Sequence, residues 1–253
     1  MSTPISSADY DERNDGIDRR DALRKLAVGG AVVWSAPLIA KSAYAASATS
    51  CTTNIVDWEL YNVGDTFTST TIGGITMSIN SPDFFGGSGL LAGGGRDRKV
   101  QPSPFGSINR KSLMFEQLPR TGGGQNIVFT FSQPVYNINF IITDIDNYSQ
   151  NGAGWSDRIV INSPATYGYS RTSTSWTGTS NILGSGSSTG TTMTTGPFRN
   201  SNANNNYQDD SPAGNIEITM PGPLTSFSFT FSCANIQNGG NQRVNFSNIS
   251  FCG

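Results

Sequence analysis

The chain has 253 residues, 16 Lys and Arg against 18 Asp and Glu, a net charge of −2 and no histidine. Without histidine there is no Ser-His-Asp or Cys-His catalysis, no His-ligated zinc or copper and no imidazole proton shuttle. Charge is sparse and no basic run follows residue 45, which excludes nucleic acid and anionic membrane as natural partners.

The first element reads as an address. Asp18-Arg19-Arg20-Asp21-Ala22-Leu23-Arg24-Lys25 resembles the twin-arginine export motif, with Asp18 and Ala22 standing where a hydroxyl residue and Phe are usual. Residues 26–40 are apolar but interrupted by Gly29, Gly30, Ser35 and Pro37. A spanning helix needs about 20 apolar residues, whereas a signal h-region takes about 7–15. Ala43-Tyr44-Ala45 supplies a small-x-small cleavage site. Residues 1–45 are therefore expected to be a twin-arginine signal peptide, with the translocon a partner during export, and residues 46–253 one exported domain. An amphipathic helix in a cytosolic protein is the alternative, and it leaves the order of these parts unexplained. Cys51 lacks the leucine three positions earlier that lipidation requires, so no membrane anchor is expected.

Short runs of β-branched and aromatic residues follow, at 55–60, 75–79, 128–132, 135–144, 158–161, 216–220, 227–231 and 244–251. Gly, Pro, Asn and Ser separate them, and Gln133-Pro134 splits the two central runs. This strand-and-turn pattern, with no sustained 3.6-residue period after residue 46, predicts an all-β fold: a two-sheet antiparallel β-sandwich, jelly-roll-like. The glycine-rich stretch 86–95 is no P-loop, because no Gly-Lys-Ser/Thr ends it and no helix follows. The Ser/Thr/Gly/Asn tract 170–206 reads as a long surface loop or, on the functional reading, a recognition loop.

Three cysteines remain: Cys51, Cys233 and Cys252. One disulfide with one thiol left over is the default in an exported chain. Alternation puts Cys233 on the face of Phe227, Phe229 and Phe231, whereas Ile249 and Phe251 turn Cys252 to the opposite face. A Cys233–Cys252 bridge would have to join opposite faces, which favours Cys51–Cys252, first strand to last.

Two groups of residues carry candidate chemistry. Asp144 and Asp146 stand two apart at a strand end and so emerge on one side. A hairpin would bring Asp157 near them, and with Asn147 these oxygens are a candidate calcium site. The alternative is that one aspartate caps a turn while the other pairs with Arg158. Glu59, Glu116 and Glu217 are the only glutamates after residue 45. Glu59 and Glu217 fall in predicted strands, nothing marks the three as a glycosidase pair, and no catalytic residue is assigned. The second group is aromatic: Tyr148, Trp155, Tyr167, Tyr169 and Trp176, with Tyr207 beyond. Flat rings among polar neighbours suit the apolar face of a sugar; rings at strand ends equally often cover the rim of a core.

The run Phe129-Thr130-Phe131-Ser132-Gln133-Pro134-Val135-Tyr136-Asn137-Ile138-Asn139-Phe140-Ile141-Ile142-Thr143-Asp144-Ile145-Asp146, then Asp157-Arg158-Ile159-Val160-Ile161 and the ending Asn245-Phe246-Ser247-Asn248-Ile249-Ser250-Phe251-Cys252, resembles domains of bacterial secreted and surface proteins. The lectin-like non-repetitive domain of CshA-type fibrillar adhesins is among them. The matching residues build sheets, so the resemblance speaks to fold more than to ligand; it implies a binding or surface module rather than an enzyme. The expectation is an exported, non-catalytic module that binds glycan or another extracellular ligand through the loops at 148–155 and 167–176. The alternatives are a structural envelope protein without a small ligand and a glycoside-active enzyme working through Asp144, Asp146 or Asp157.

Overall fold

Alternation of large apolar with small polar residues gives each strand one face to bury. The computed structural model describes residues 51–80, 82–92, 95–150, 153–190, 192, 194–201, 211–237 and 241–253, with 148–150, 153 and 235–237 described through the backbone alone. The expected signal peptide and Tyr207 lie outside them. The strands are β1 (Thr53–Val56), β2 (Ser69–Ile72), β3 (Ile75–Ile79), β4 (Asp83–Phe85), β5 (Lys99–Gln101), β6 (Ser112–Gln117), β7 (Gly124–Thr143) and β8 (Asn147–Gln150). After them come β9 (Ala153–Ile161), β10 (Gly168–Ser170), β11 (Ile182–Leu183), β12 (Arg199–Asn200), β13 (Ile216–Met220), β14 (Leu224–Gln237), β15 (Gln242–Phe246) and β16 (Ile249–Cys252). Among the described residues only the 3-10 turns Trp58–Leu60 and Pro212–Gly214 are helical, and no helix is long and apolar enough to cross a membrane.

The strands form an antiparallel two-sheet sandwich with β7 common to both sheets. Its first half lies between β3 and β14 in a sheet ordered β2–β3–β7–β14–β9–β8, with β4 following β3 along β7. Its second half lies between β13 and β15 in a sheet ordered β10–β13–β7–β15–β6–β5; β16 continues β15 along β7 and carries β1. The sequence reading split this strand at Gln133-Pro134. Instead the chain runs through as twenty residues, because Pro134 stands exposed at the corner between sheets, where its missing N–H costs no ladder bond. The inward set is Ile127, Phe129 and Phe131 before the corner and Ile138, Phe140 and Ile142 after it, a change of parity. Asn137, at φ 48°, supplies the bulge-like extra residue that keeps both halves facing one core. A second correction concerns 55–60. Strand β1 stops at Val56 because the Asp57 carboxylate accepts the Glu59 N–H at 3.1 Å and caps a 3-10 turn, which takes Glu59 out of the sheet.

Phenylalanines from the two sheets interleave in the core. Phe227 of β14 stacks on Phe129 at 4.7 Å and on Phe140 at 5.6 Å, and Phe140 stacks in turn on Phe246 at 5.6 Å. The Cys51–Cys252 disulfide ties the residues ahead of β1 to the end of β16, and Cys233 lies in the core outside it. A bridge of this kind persists in oxidising compartments. Because it closes a separation of 201 residues, replacing both cysteines by serine is expected to lower the unfolding free energy by about 2–4 kcal/mol. Urea unfolding checks this, and an unchanged midpoint would show that the β1–β16 pairing alone holds the ends.

Candidate functional site

At one end of the sandwich the inward alternation turns polar. Along β15 the inward series is Phe246, Val244, Gln242; along β6 it is Leu113, Phe115, Gln117; along β7 it is Phe129, Ile127, Gln125; along β9 it is Ile161, Ile159, Asp157. All twelve are buried, so the last layer of the core is built of amides and one carboxyl. Buried polar groups demand partners. Gln117 donates to the Gln242 side-chain carbonyl at 2.7 Å, and Gln242 donates to the Ser232 carbonyl at 3.0 Å. Gln242 also bonds the Asp157 carboxyl, which lines a cleft of about 370 Å³.

Three aspartates line this cleft. The chain leaves β7 through Asp144, whose φ of 66° is the left-handed region that aspartate tolerates better than most residues. Ile145 then drops into the core between the two acids. Asp146 precedes β8, and the antiparallel β8–β9 hairpin, with Asn147 opposite Ser156, sets it beside Asp157. The Asp157 N–H donates to the Asp146 carbonyl at 2.9 Å, and the Asp146 N–H donates to the Asp157 carboxylate at 2.7 Å. Asp157 is fully buried. Burial pushes its pKa well above the usual carboxylate range, and the charge of Asp144 adds to this, against the pull of the Asp146 N–H, Gln242 and Arg243. Burial thus favours the protonated form of Asp157, in which the carboxyl can donate a hydrogen bond.

Cations complete the wall. Arg243, on the opposite face of β15 from Gln242, donates to Asp144 at 2.9 Å. Arg96 holds the buried Glu116 with guanidinium contacts of 2.7 and 3.1 Å and a backbone N–H at 2.6 Å, and remains 41% exposed. Asn241 also donates to Glu116, at 3.4 Å. Among the described residues lining the cleft, Trp155, half-buried on β9, is the aromatic one. The alternative pairing of an aspartate with Arg158 does not occur among the described ion pairs: Arg158 follows the inward Asp157 and so faces away, and Arg243 pairs with Asp144 instead.

No family model, no curated protein and no solved structure matches this chain. The site therefore has to be read from its own groups.

Of the aromatic candidates, the structure brings Trp155 to the aspartates. Tyr148 stands opposite Trp155 in the hairpin register; its side chain lies outside the described residues. Tyr167 and Tyr169 lie at β10, on the edge of the second sheet, and Trp176 lies in the loop that follows it. The Tyr167 hydroxyl donates to the Ser185 carbonyl, Tyr169 meets Phe198 edge-on at 5.1 Å, and Trp176 is only 5% exposed. The loop encloses Trp176, so its ring offers no open face for stacking.

As for a metal, among the described residues no group of three or more Asp, Glu or Cys side chains is placed to hold one. The guanidinium of Arg243 already supplies the positive charge next to Asp144. Arg96, Asn241 and Arg243 were missed by the sequence reading. Arg96 and Arg243 flank Glu116 from opposite directions in the chain, and only the β6–β15 register, with Arg243 opposite Glu116, joins them. The polar floor did leave a signal: the phase of alternation along 242–246 and 113–117 already puts glutamines inward.

Proposed function

We propose that this chain is an exported, non-catalytic β-sandwich module that binds a glycan or a comparable extracellular ligand in the cleft between Trp155 and the aspartates. The observation that carries the reading is one indole beside carboxylates, guanidiniums and an amide in a single open cleft. A sugar has an apolar face for the ring and hydroxyls for the fixed donors and acceptors, and sites of this kind are mostly preformed. The buried glutamine layer holds the polar groups in place before a ligand arrives, which lowers the ordering cost of binding. The resemblance of residues 129–146 to lectin-like adhesin domains points the same way.

A second reading has its own observation. Burial raises the Asp157 pKa well above the usual carboxylate range while it shares the cleft with Asp144 and Asp146, and carboxyls of unlike acidity are what a glycoside-active enzyme depends on. Glycan-array binding of the exported protein, with and without calcium, separates these readings. Saturable binding is expected, independent of calcium because Arg243 neutralises Asp144, and weakened at least tenfold in Trp155→Ala. Release of reducing sugar that Asp157→Asn abolishes without loss of binding would replace the first reading by the second. No binding in either buffer leaves a structural envelope protein.

A further inference from the structure

The outer face of β9 carries a feature that the cleft does not use. Ile159 and Phe198 exchange backbone hydrogen bonds of 3.1 and 2.9 Å in an isolated antiparallel bridge. In an antiparallel pair the next position along places Arg158 opposite Arg199, both on the face turned away from the buried Ile159 and Phe198. Like charges directly across a ladder are destabilising, so an arginine facing an arginine needs an explanation. Burial and then the charge of Arg158 hold the Arg199 pKa below its ordinary value, which is the electrostatic signature of the same closeness.

The two arginines are held differently. Arg199 is fastened by its guanidinium to the carbonyls of Thr195 at 3.2 Å, Pro197 at 3.0 Å and Thr192 at 2.6 Å. It is thus a charge built into the fold. Arg158 makes no ion pair or hydrogen bond through its side chain among the described residues, and its Nε is buried without an acceptor. Its other cross-strand neighbour, on β14, is Ser232, and Ser156 stands two residues along its own strand on the same face. Among the described residues the cross-strand and same-face neighbours of Arg158 are therefore a cation and two hydroxyl residues. A buried donor left without a partner is uncommon in folded proteins and commonly marks a bound ion or water.

We propose that Arg158, with the fixed charge of Arg199 behind it, binds an oxyanion: a carboxylate, sulfate or phosphate group, either free or carried by an acidic glycan. The guanidinium is suited to this because its planar fork matches two oxygens at once, and the neighbouring seryl hydroxyls can donate to a third. The bound anion would relieve the cross-strand repulsion. This site is on the other face of β9 from Trp155 and Asp157 and does not rest on the cleft being a glycan site.

The test uses the full exported chain and sodium sulfate as probe in isothermal titration, with ionic strength held constant by sodium chloride. One saturable site per chain is expected, weakened at least tenfold in Arg158→Gln and partly retained in Arg158→Lys, which keeps the charge but loses the fork. Trp155→Ala is expected to bind sulfate as the parent does, so failure here and failure of the cleft are separable. Arg158→Gln removes a repulsion and is expected to unfold at the same or a higher temperature. Equal sulfate binding by the parent and Arg158→Gln, or no saturable binding by the parent, overturns the proposal. A parallel titration with a sulfated oligosaccharide identifies the source: tighter binding than sulfate alone, again lost in Arg158→Gln, assigns the anion to a glycan, and equal binding assigns it to the free ion.

Discussion

Replacing Phe227 by alanine is expected to lower the unfolding free energy by about 3–5 kcal/mol, the cost typical of removing a large buried aromatic ring. Phe227 is the ring through which the sheets meet. It stacks on Phe129 of its own sheet at 4.7 Å and on Phe140 of the other at 5.6 Å, and touches Phe131 and Phe229 at 5.9 and 5.5 Å. Truncation removes the transfer free energy of the ring and leaves a cavity whose walls are rigid aromatic side chains in two hydrogen-bonded sheets, so collapse around it is restricted. Equilibrium urea unfolding under oxidising conditions measures the loss, with Ile55→Ala, at a position 49% exposed, as the reference expected to shift little. A loss at Phe227 no larger than at Ile55 would mean that the sheets are held by something other than this stack.

The second large effect is a dependence on pH that runs opposite to the usual acid denaturation. Asp157 has a folded-state pKa raised well above 3.8 by burial. Below about pH 3.8 the group is protonated in both states and contributes nothing. As the pH rises above that value the unfolded chain gives up its proton and the folded one keeps it. Stability then falls by about 1.4 kcal/mol per pH unit until the folded-state pKa is reached. Asp157→Asn keeps a carbonyl oxygen for the Asp146 N–H and has no proton to lose. The variant is thus expected to match the parent near pH 4 and to exceed it progressively as the pH rises toward the folded-state pKa of Asp157. Asp97, pushed up to about 6 by burial against the pull of Arg98, acts in the same sense in both proteins and cancels in the difference. Urea unfolding of parent and variant at several pH values reads the effect, and a difference that does not change with pH would show that Asp157 titrates as an ordinary carboxylate.

These two residues also show where the sequence was informative. Phe227 lies in Phe227-Ser228-Phe229-Thr230-Phe231, where strict alternation can only mean a half-buried strand, and its burial was legible. The same logic placed Cys233 in the core and left Cys51 and Cys252 to pair. The Asp144, Asp146 and Asp157 group was legible as a neighbourhood, because a strand end and a hairpin are local. The partner of Asp144 was not: Arg243 is 99 residues away, and Arg158, adjacent in sequence to Asp157, was the natural but mistaken choice. Period-two alternation itself sends Arg158 to the other face.

By itself the sequence determined what depends on local periodicity: the all-β class, the antiparallel sandwich and the inward phenylalanines, and it favoured the Cys51–Cys252 pairing that the structure shows. It did so because the side-chain direction of a strand is set residue by residue. Only the tertiary structure decided which strands are neighbours and how the two halves of β7 are shared between sheets through an exposed Pro134. It also decided that Trp176 is enclosed while Trp155 opens on the acids, and that Arg96, Asn241 and Arg243 join Asp144 in one cleft. Those choices rest on pairings between segments far apart in the chain, whose register is fixed by the packing of the whole core and leaves no periodic trace in any one strand.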